Sequence, residues 1–283
     1  MRRVFTAYNA EKGGGEMRLK TKRYKVRRGC GGWIIGLLLL LGAGAWLFLR
    51  HGGALPVFFS PKPTLSPEES AQECRTLLLP GKTWYALQLG AFEEEEAAKA
   101  LAASFRARGA AGYIHRQDGF RVLAAAYTSR AEAQAVQTQL GALHGVEAYV
   151  SEIGRPEITL RVTGQKAQLT ALEDALTVLD QCAEQLYALS AGLDSRDGEA
   201  DAVRQALLSQ RETVQALAGR LEILFGEKAP AAVAPIIQAM RDADAALAAA
   251  AACGGETALG AQVKYCQLLC ISALADYAGM LTE

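Results

Sequence analysis

The chain has 283 residues, of which 51% are apolar, enough for one or two domains with proper hydrophobic cores. Its formal net charge is zero, but ten basic residues against two acidic ones precede residue 29, so the remainder is acidic. Residues 83–153 carry six basic and eight acidic side chains, a net charge of −2 that argues against a nucleic-acid phosphate backbone as the ligand.

An uncharged apolar run at residues 33–49 is flanked by Arg28 and Arg50. With its glycine flank the run reaches 21 uncharged residues. At about 1.5 Å per residue, that length matches the roughly 30 Å core of a bilayer. Positive residues stay on the cytoplasmic side, so the bulk of the chain should face outward. We therefore predict a basic cytoplasmic tail at 1–29 and a single transmembrane helix at 30–50.

A cleaved signal peptide is the alternative interpretation of this run. Ala43, Gly44 and Ala45 offer small residues at a cleavable spacing. The apolar run continues past that point through residues 46–49, which a membrane span needs and a signal peptide does not. This continuation favours the anchor.

Residues 51–82 carry five prolines, which fix the backbone angle φ and remove hydrogen-bond donors. A packed domain is therefore not expected there, and we predict a spacer that provides reach. One short helix is expected within it, because Ser66 is a capping residue, Pro67 suits the first helical position and Glu69 lies three residues after the cap.

The stretch from Thr83 to Ile153 alternates strand and helix patterns twice. Every second side chain of its first strand lines one face, four consecutive glutamates then open a helix, and Ser129 can cap a second helix. A tight turn is expected at Asp118 and Gly119. The predicted elements are a strand at 84–92, a helix at 93–108, strands at 111–116 and 120–127, a helix at 130–143 and a strand at 146–153.

This element order resembles the SPOR domain, a module that binds the glycan strands of bacterial peptidoglycan. The family's first strand reads V-Q-V-G-A-F, matched here by residues 87–92, L-Q-L-G-A-F. Its third strand reads Y-R-V-x-V-G-P-F, matched by Phe120-Arg121-Val122, although Ala125-Ala126 replaces the Gly-Pro pair. The resemblance implies an α+β fold of βαββαβ order, with a four-stranded antiparallel sheet and two helices. It also implies a preference for glycan stripped of its stem peptides.

Strand alternation sorts the side chains of this domain into two faces. One face, including Leu87, Val122 and Ala124, should pack on the two helices. The other face should be exposed, with aromatic rings that pack on the C–H faces of sugars and with polar groups that bond their hydroxyl and carboxylate groups. A free lactyl carboxylate of muramic acid would meet Arg121. The expected glycan-binding residues are Trp84, Gln88, Arg121, Leu123, Tyr149 and Ser151.

The same layout is found in the RNA-recognition motif, and residues 119–122 faintly resemble the aromatic stacking strand of that family. The net negative charge of the domain and its predicted outward location argue against RNA as its ligand.

Residues 154–283 are rich in alanine and mostly helical. After an extra strand at 157–162, four apolar stripes at three- and four-residue steps follow one another with short breaks, which predicts an antiparallel bundle of four helices. Nine basic against seventeen acidic residues follow Arg155, so a partner of the bundle should present a basic protein surface.

Catalysis is not expected from this chain. No histidine follows His144, which excludes a Ser-His-Asp or Cys-His arrangement and a histidine-bearing zinc site within the bundle. His115 and His144 are expected on the surface. Cys266 and Cys270 lie one turn apart on an apolar stripe and should be small core residues, although a disulfide among Cys182, Cys253, Cys266 and Cys270 stays open. No metal and no cofactor are expected.

The sequence therefore predicts a single-pass membrane protein without enzymatic activity. Its spacer would carry a glycan-binding domain at 83–153 and a helical bundle at 154–283 outside the cytoplasm. It would tether the membrane to stripped peptidoglycan at a division or sporulation septum. The alternative is an interaction or scaffold protein that acts through the bundle by binding a protein partner.

Overall fold

A computed structural model describes residues 68, 71–195, 198–226 and 229–282. The predicted cytoplasmic tail, transmembrane helix and spacer up to residue 67 lie outside the described residues, as does most of the short helix expected at Ser66–Glu69. Residues from Pro63 to Glu283 form one compact unit. The predicted βαββαβ domain and the helical bundle therefore do not separate into two compact units.

The described part of the chain is a mixed α+β structure with a helical C-terminal region, as predicted. Its first half holds six strands and two helices, and its second half holds four long helices. In chain order the elements are β1 (Gln72–Leu79), β2 (Lys82–Phe92), α1 (Glu95–Arg106), β3 (Tyr113–Arg116), β4 (Phe120–Tyr127), α2 (Arg130–His144), β5 (Tyr149–Arg155), β6 (Ile158–Gln165), α3 (Lys166–Ser195), α4 (Ala200–Phe225), α5 (Ala234–Ala251) and α6 (Glu256–Thr282).

Four strands form an antiparallel sheet in the order β3-β4-β2-β5, which is the predicted βαββαβ arrangement. Local interactions explain the turn between β3 and β4 and the two ends of α2. Asp118 and Gly119 adopt positive φ angles of 49° and 105° in the turn between β3 and β4, where a tight turn is expected. Ser129 caps α2 by accepting a hydrogen bond from the Glu132 amide at 3.2 Å. Gly145, at φ 61°, ends that helix.

One face of the sheet packs on α1 and α2, as the strand alternation predicts. Leu87 and Ala124 form a buried cluster with Ala133 of α2, and Val122 packs against two alanines of α1. Small side chains on both helices allow their backbones to approach the sheet closely. This small core lies between the two helices and one face of the sheet, and it does not involve the other face.

A second, two-stranded sheet lies outside the bounds of the predicted domain. Strands β1 and β6 pair antiparallel from Gln72 opposite Gln165 to Leu79 opposite Ile158. The extra strand expected at 157–162 is thus present as β6. The prediction of an unpacked spacer is wrong for residues 72–79, because the inward side chains of β1, Leu77 and Leu79, are buried against the protein.

The four predicted helices of the C-terminal region are α3 to α6. Helix α6 is the one helix among the described residues that is long and apolar enough to cross a membrane, yet 61% of its apolar window is buried inside the protein. It packs on α3 and α5 and also lies against β3, β4 and β5. The apolar character of α6 therefore serves a core shared by the bundle and the sheet.

Candidate glycan-binding face

The six residues expected to bind glycan share the second face of the sheet. Gln88 of β2 pairs with Leu123 of β4 on one side and with Tyr149 of β5 on the other, which forms one row across the sheet. Arg121 lies two residues before Leu123 on the same strand. Ser151 pairs with Ala86, and Trp84 precedes Ala86 by two residues, which completes the face.

The expectation that Trp84 and Leu123 lie exposed on this face is wrong. Their exposed fractions are 3% and 1%, and both belong to a continuous hydrophobic core with residues of α3, α5 and α6. The Trp84 ring meets the ring of Tyr187 edge-on, with centroids 6.0 Å apart. The physical reason is that the bundle folds back onto the apolar part of the face, which would otherwise be left in water.

Polar contacts fix the bundle on the sheet. Arg155 of β5 is 7% exposed and pairs with Asp180 of α3 at 2.9 Å. Lys82 of β2 pairs with the same carboxylate at 3.2 Å. Gln267 of α6 is fully buried and donates a hydrogen bond from Nε2 to the Ala126 carbonyl oxygen at 3.1 Å. These contacts hold the helices on the sheet, and among the described residues Arg155 Nη2 and Gln267 Oε1 are buried without a hydrogen-bond partner.

The bundle leaves one corner of the face accessible, and we call it the open corner: Gln88, Arg121, Tyr149 and Ser151. Tyr149 is 61% exposed, Gln88 and Ser151 are partly exposed, and the Arg121 side chain is 31% exposed. Four of the six expected residues therefore remain within reach of a ligand.

The chemistry of the open corner suits a sugar polymer. The Tyr149 ring offers an apolar face to sugar C–H groups, and the Gln88 amide offers both donors and an acceptor. Among the residues that the structure describes, Arg121 has one ion pair, a long contact of 4.0 Å with the exposed Asp118 carboxylate. Such a surface pair is weak, so the guanidinium can exchange it for a carboxylate of a ligand.

One sequence pattern indicates that the sheet face carrying Trp84 and Leu123 is buried. Residues 122–126 of β4 read Val-Leu-Ala-Ala-Ala, apolar on both faces, and all five are buried. A strand that alternates apolar and polar residues has one face in water, whereas a continuous apolar run indicates burial on both faces. The sequence thus holds the information that something covers β4, but not which segment does so.

His115 is not on the surface as expected: its exposed fraction is 7%. It lies on β3 opposite Arg121, and Asp276 of α6 faces it. Partial burial raises the pKa of Asp276, and the nearby His115 works in the opposite direction. His144, in the last turn of α2, is exposed as expected.

The cysteines of the described residues are free thiols. The expected burial of Cys266 and Cys270 is confirmed, with 1% exposure each. The neighbouring thiols of Cys182 on α3 and Cys270 on α6 interact, which lowers the pKa of Cys182 and, together with burial, raises that of Cys270. No group of three or more potential metal ligands occurs in the part of the chain that the structure describes.

Comparison with known protein families identifies part of the chain. The family model described as SPOR domain matches residues 81–152, which cover both helices and the four-stranded sheet up to the middle of β5. No curated protein and no solved structure matches the chain.

Proposed function

The chain is a SPOR domain-containing protein, and from this premise we propose that it tethers the cell membrane to peptidoglycan. SPOR domains bind peptidoglycan, commonly at division septa, and they are binding rather than catalytic domains. The observation that carries the proposal is the family match over residues 81–152, with a polar and aromatic corner left accessible on its sheet.

The proposed binding residues are those of the open corner. Arg121 would meet the lactyl carboxylate of a muramic acid from which the stem peptide has been removed, and Gln88 would bond sugar hydroxyl or acetamido groups. Tyr149 would pack on a sugar ring, with Ser151 at the edge of the site. Trp84 and Leu123 can reach a glycan only if the bundle moves, so we assign them to the joint between sheet and bundle.

The tether itself requires an anchor, for which we propose the apolar run at residues 30–50. The basic residues before it would keep the N-terminus in the cytoplasm, and the domains would lie outside the membrane. A protein held at both ends in this way would collect where amidases have stripped the wall, at a division or sporulation septum.

A second candidate function has its own supporting observation. The bundle covers Trp84 and Leu123, so part of the face that we expected to bind glycan is occupied within the chain. A covered sheet favours a protein that works through protein contacts, with the SPOR domain as a platform for the bundle. The two candidates differ in where a fluorescent fusion localises when the open corner is mutated.

The proposed function is tested by co-sedimentation of the full chain, in mild detergent, with purified peptidoglycan sacculi before and after amidase treatment. Binding should rise on amidase-treated sacculi, and the double substitution Gln88→Ala with Arg121→Ala should weaken it by about tenfold or more. A matched control, Gln134→Ala with Arg108→Ala, removes the same groups from exposed positions in α2 and in the turn after α1 and should bind as the wild type. Absence of binding to either form of sacculus would overturn the proposal and favour the second candidate.

A further inference from the structure

An open groove of about 900 Å³ lies between strand β3 and helices α5 and α6. One wall is the edge strand itself, residues 113–116. The opposite wall is formed by one face of α5, which presents the alanines Ala239, Ala245 and Ala246, and by one face of α6, which presents Ala273 between larger apolar side chains. Neither the open corner nor the six residues expected to bind glycan line it.

Within the described part of the chain, strand β3 is an edge of the four-stranded sheet and pairs with β4 alone. In an antiparallel strand, alternate residues point their N–H and C=O groups away from the partner strand. The Arg106 guanidinium donates hydrogen bonds to two carbonyl oxygens just before the strand, those of Ala111 at 3.2 Å and Gly112 at 2.9 Å. In the described structure no hydrogen bond joins the backbone of residues 113–116 to α5 or α6. The groove therefore faces unpaired backbone groups, which are a template for another strand.

Two carboxylates lie on the rim opposite β3. Asp242 of α5 is exposed and Asp276 of α6 reaches the surface beside His115, and neither forms an ion pair with a lysine or arginine among the residues described. Asp242 accepts a hydrogen bond from the neutral amide of Gln238 at 2.8 Å. On the β3 side of the groove, Arg116 is neutralised by Glu95 at 2.8 Å. Arg106, the second cation of the lining, bonds backbone carbonyl groups rather than a carboxylate. The lining thus holds three carboxylates, Glu95, Asp242 and Asp276, against the two guanidinium groups of Arg106 and Arg116, and this negative balance suits a cationic side chain of a ligand.

The aromatic rings of the groove are already engaged, which argues against a sugar as its occupant. Tyr113 and Tyr265 pack edge-on with centroids 5.3 Å apart, and the Arg106 guanidinium covers Tyr265 at 5.2 Å. Tyr277 is only 3% exposed. A glycan would find little free ring surface for stacking, whereas an extended peptide needs the backbone edge, which is free.

We propose that this groove binds an extended segment of a protein partner, which adds a fifth strand beside β3 and places a lysine or arginine against Asp242 and Asp276. The alanines of α5 and Ala273 of α6 leave room for the alternate side chains of that strand. This interaction surface is separate from the open corner and goes beyond glycan binding.

The test uses a random dodecapeptide library, displayed on phage and selected on the full chain in mild detergent. Enriched peptides should alternate apolar residues with lysine or arginine and should lack proline. Their affinity should fall by about tenfold or more in Ala245→Trp, which fills the groove, and in Asp242→Asn with Asp276→Asn. The matched controls are Ala216→Trp on exposed α4 and Glu147→Gln with Glu212→Gln, which make the same changes away from the groove.

Hydrogen exchange of residues 113–116 provides the second measurement. A bound peptide should slow exchange of the outward-pointing amides of β3, and Ala245→Trp should abolish this protection. The proposal is overturned if selection yields no peptide that is sensitive to Ala245→Trp, or if bound peptides leave β3 unprotected. It is also overturned if stripped glycan strands, rather than peptides, protect β3. Glycan binding at the open corner is measured separately on sacculi, so its success or failure stays distinguishable from this result.

Discussion

Trp84 is an aromatic residue on the face predicted to bind glycan, but it is a core residue at the joint between sheet and bundle. Its ring is 3% exposed and packs against Tyr187 of α3. Trp84→Ala should lower the free energy of unfolding by roughly 3–5 kcal/mol, as for other buried aromatic residues. Urea unfolding of the full chain measures this loss. Tyr149→Ala, at a residue 61% exposed on the same face, should cost less than about 1 kcal/mol and reduce glycan binding instead.

The opposite pattern would contradict this assignment. If Trp84→Ala left the free energy of unfolding unchanged and abolished binding to amidase-treated sacculi, the ring would be a ligand on an exposed face, as the sequence alone predicts.

Tyr113 gives the joint between sheet and bundle a dependence on alkaline pH. Burial raises the pKa of Tyr113 from 10.0 to about 12, with a further contribution from nearby Tyr265 and Asp276. Between pH 10 and pH 12 the folded state therefore holds a proton that the unfolded chain releases. The free energy of unfolding should fall as pH rises through this window, and it should fall less in Tyr113→Phe, which has no such proton. Parallel curves for the two proteins would show that Tyr113 is not withdrawn from water.

At the scale of elements, helix α6 connects the two halves of the described structure. The buried Gln267 donates to the Ala126 carbonyl oxygen of β4. Gln267→Leu leaves that oxygen without its donor and should lower the free energy of unfolding by about 1–3 kcal/mol. Gln262→Leu on the same helix is the matched control, because Gln262 is partly exposed, and its effect should stay within about 0.5 kcal/mol. Equal effects of both substitutions in denaturant unfolding would argue against this contact as a determinant of the joint.

The elements themselves follow from local patterns, which explains why most of them could be predicted. The cap at Ser129, the turn at Asp118 and Gly119, and the alternation in β2 are decided by neighbours in the sequence. The strand β1 lacked such a signal, because its partner β6 lies some eighty residues away and several prolines precede it. Its pairing is a long-range effect.

The site was predicted only in part, for the same reason. Alternation correctly places all six expected residues on one face, but it cannot tell what lies above them. The contact between Ala126 and Gln267 joins positions 141 residues apart. Burial of Trp84 and Leu123, and of His115 on β3, depends on such contacts, whereas the accessibility of Gln88 and Tyr149 depends on where the bundle ends.

At the scale of the whole molecule, the described part of the chain behaves as one folded unit rather than two. A fragment of residues 80–155 would expose the apolar side chains that the bundle covers, including Trp84, Ala86 and Ile153. We expect this fragment to bind a hydrophobic dye and to unfold at a lower urea concentration than the full chain. A fragment as stable and as free of dye binding as the full chain would show that the bundle is a separable domain.

The central claim is that glycan binds at the open corner of a sheet that the bundle otherwise covers. Hydrogen exchange of the full chain, with and without stripped glycan strands, tests it most directly. The account predicts slower exchange around Gln88, Arg121 and Tyr149, and no such change in the Gln88→Ala, Arg121→Ala double variant. Exchange that is unchanged throughout the sheet, or slowed only in the bundle, would contradict it.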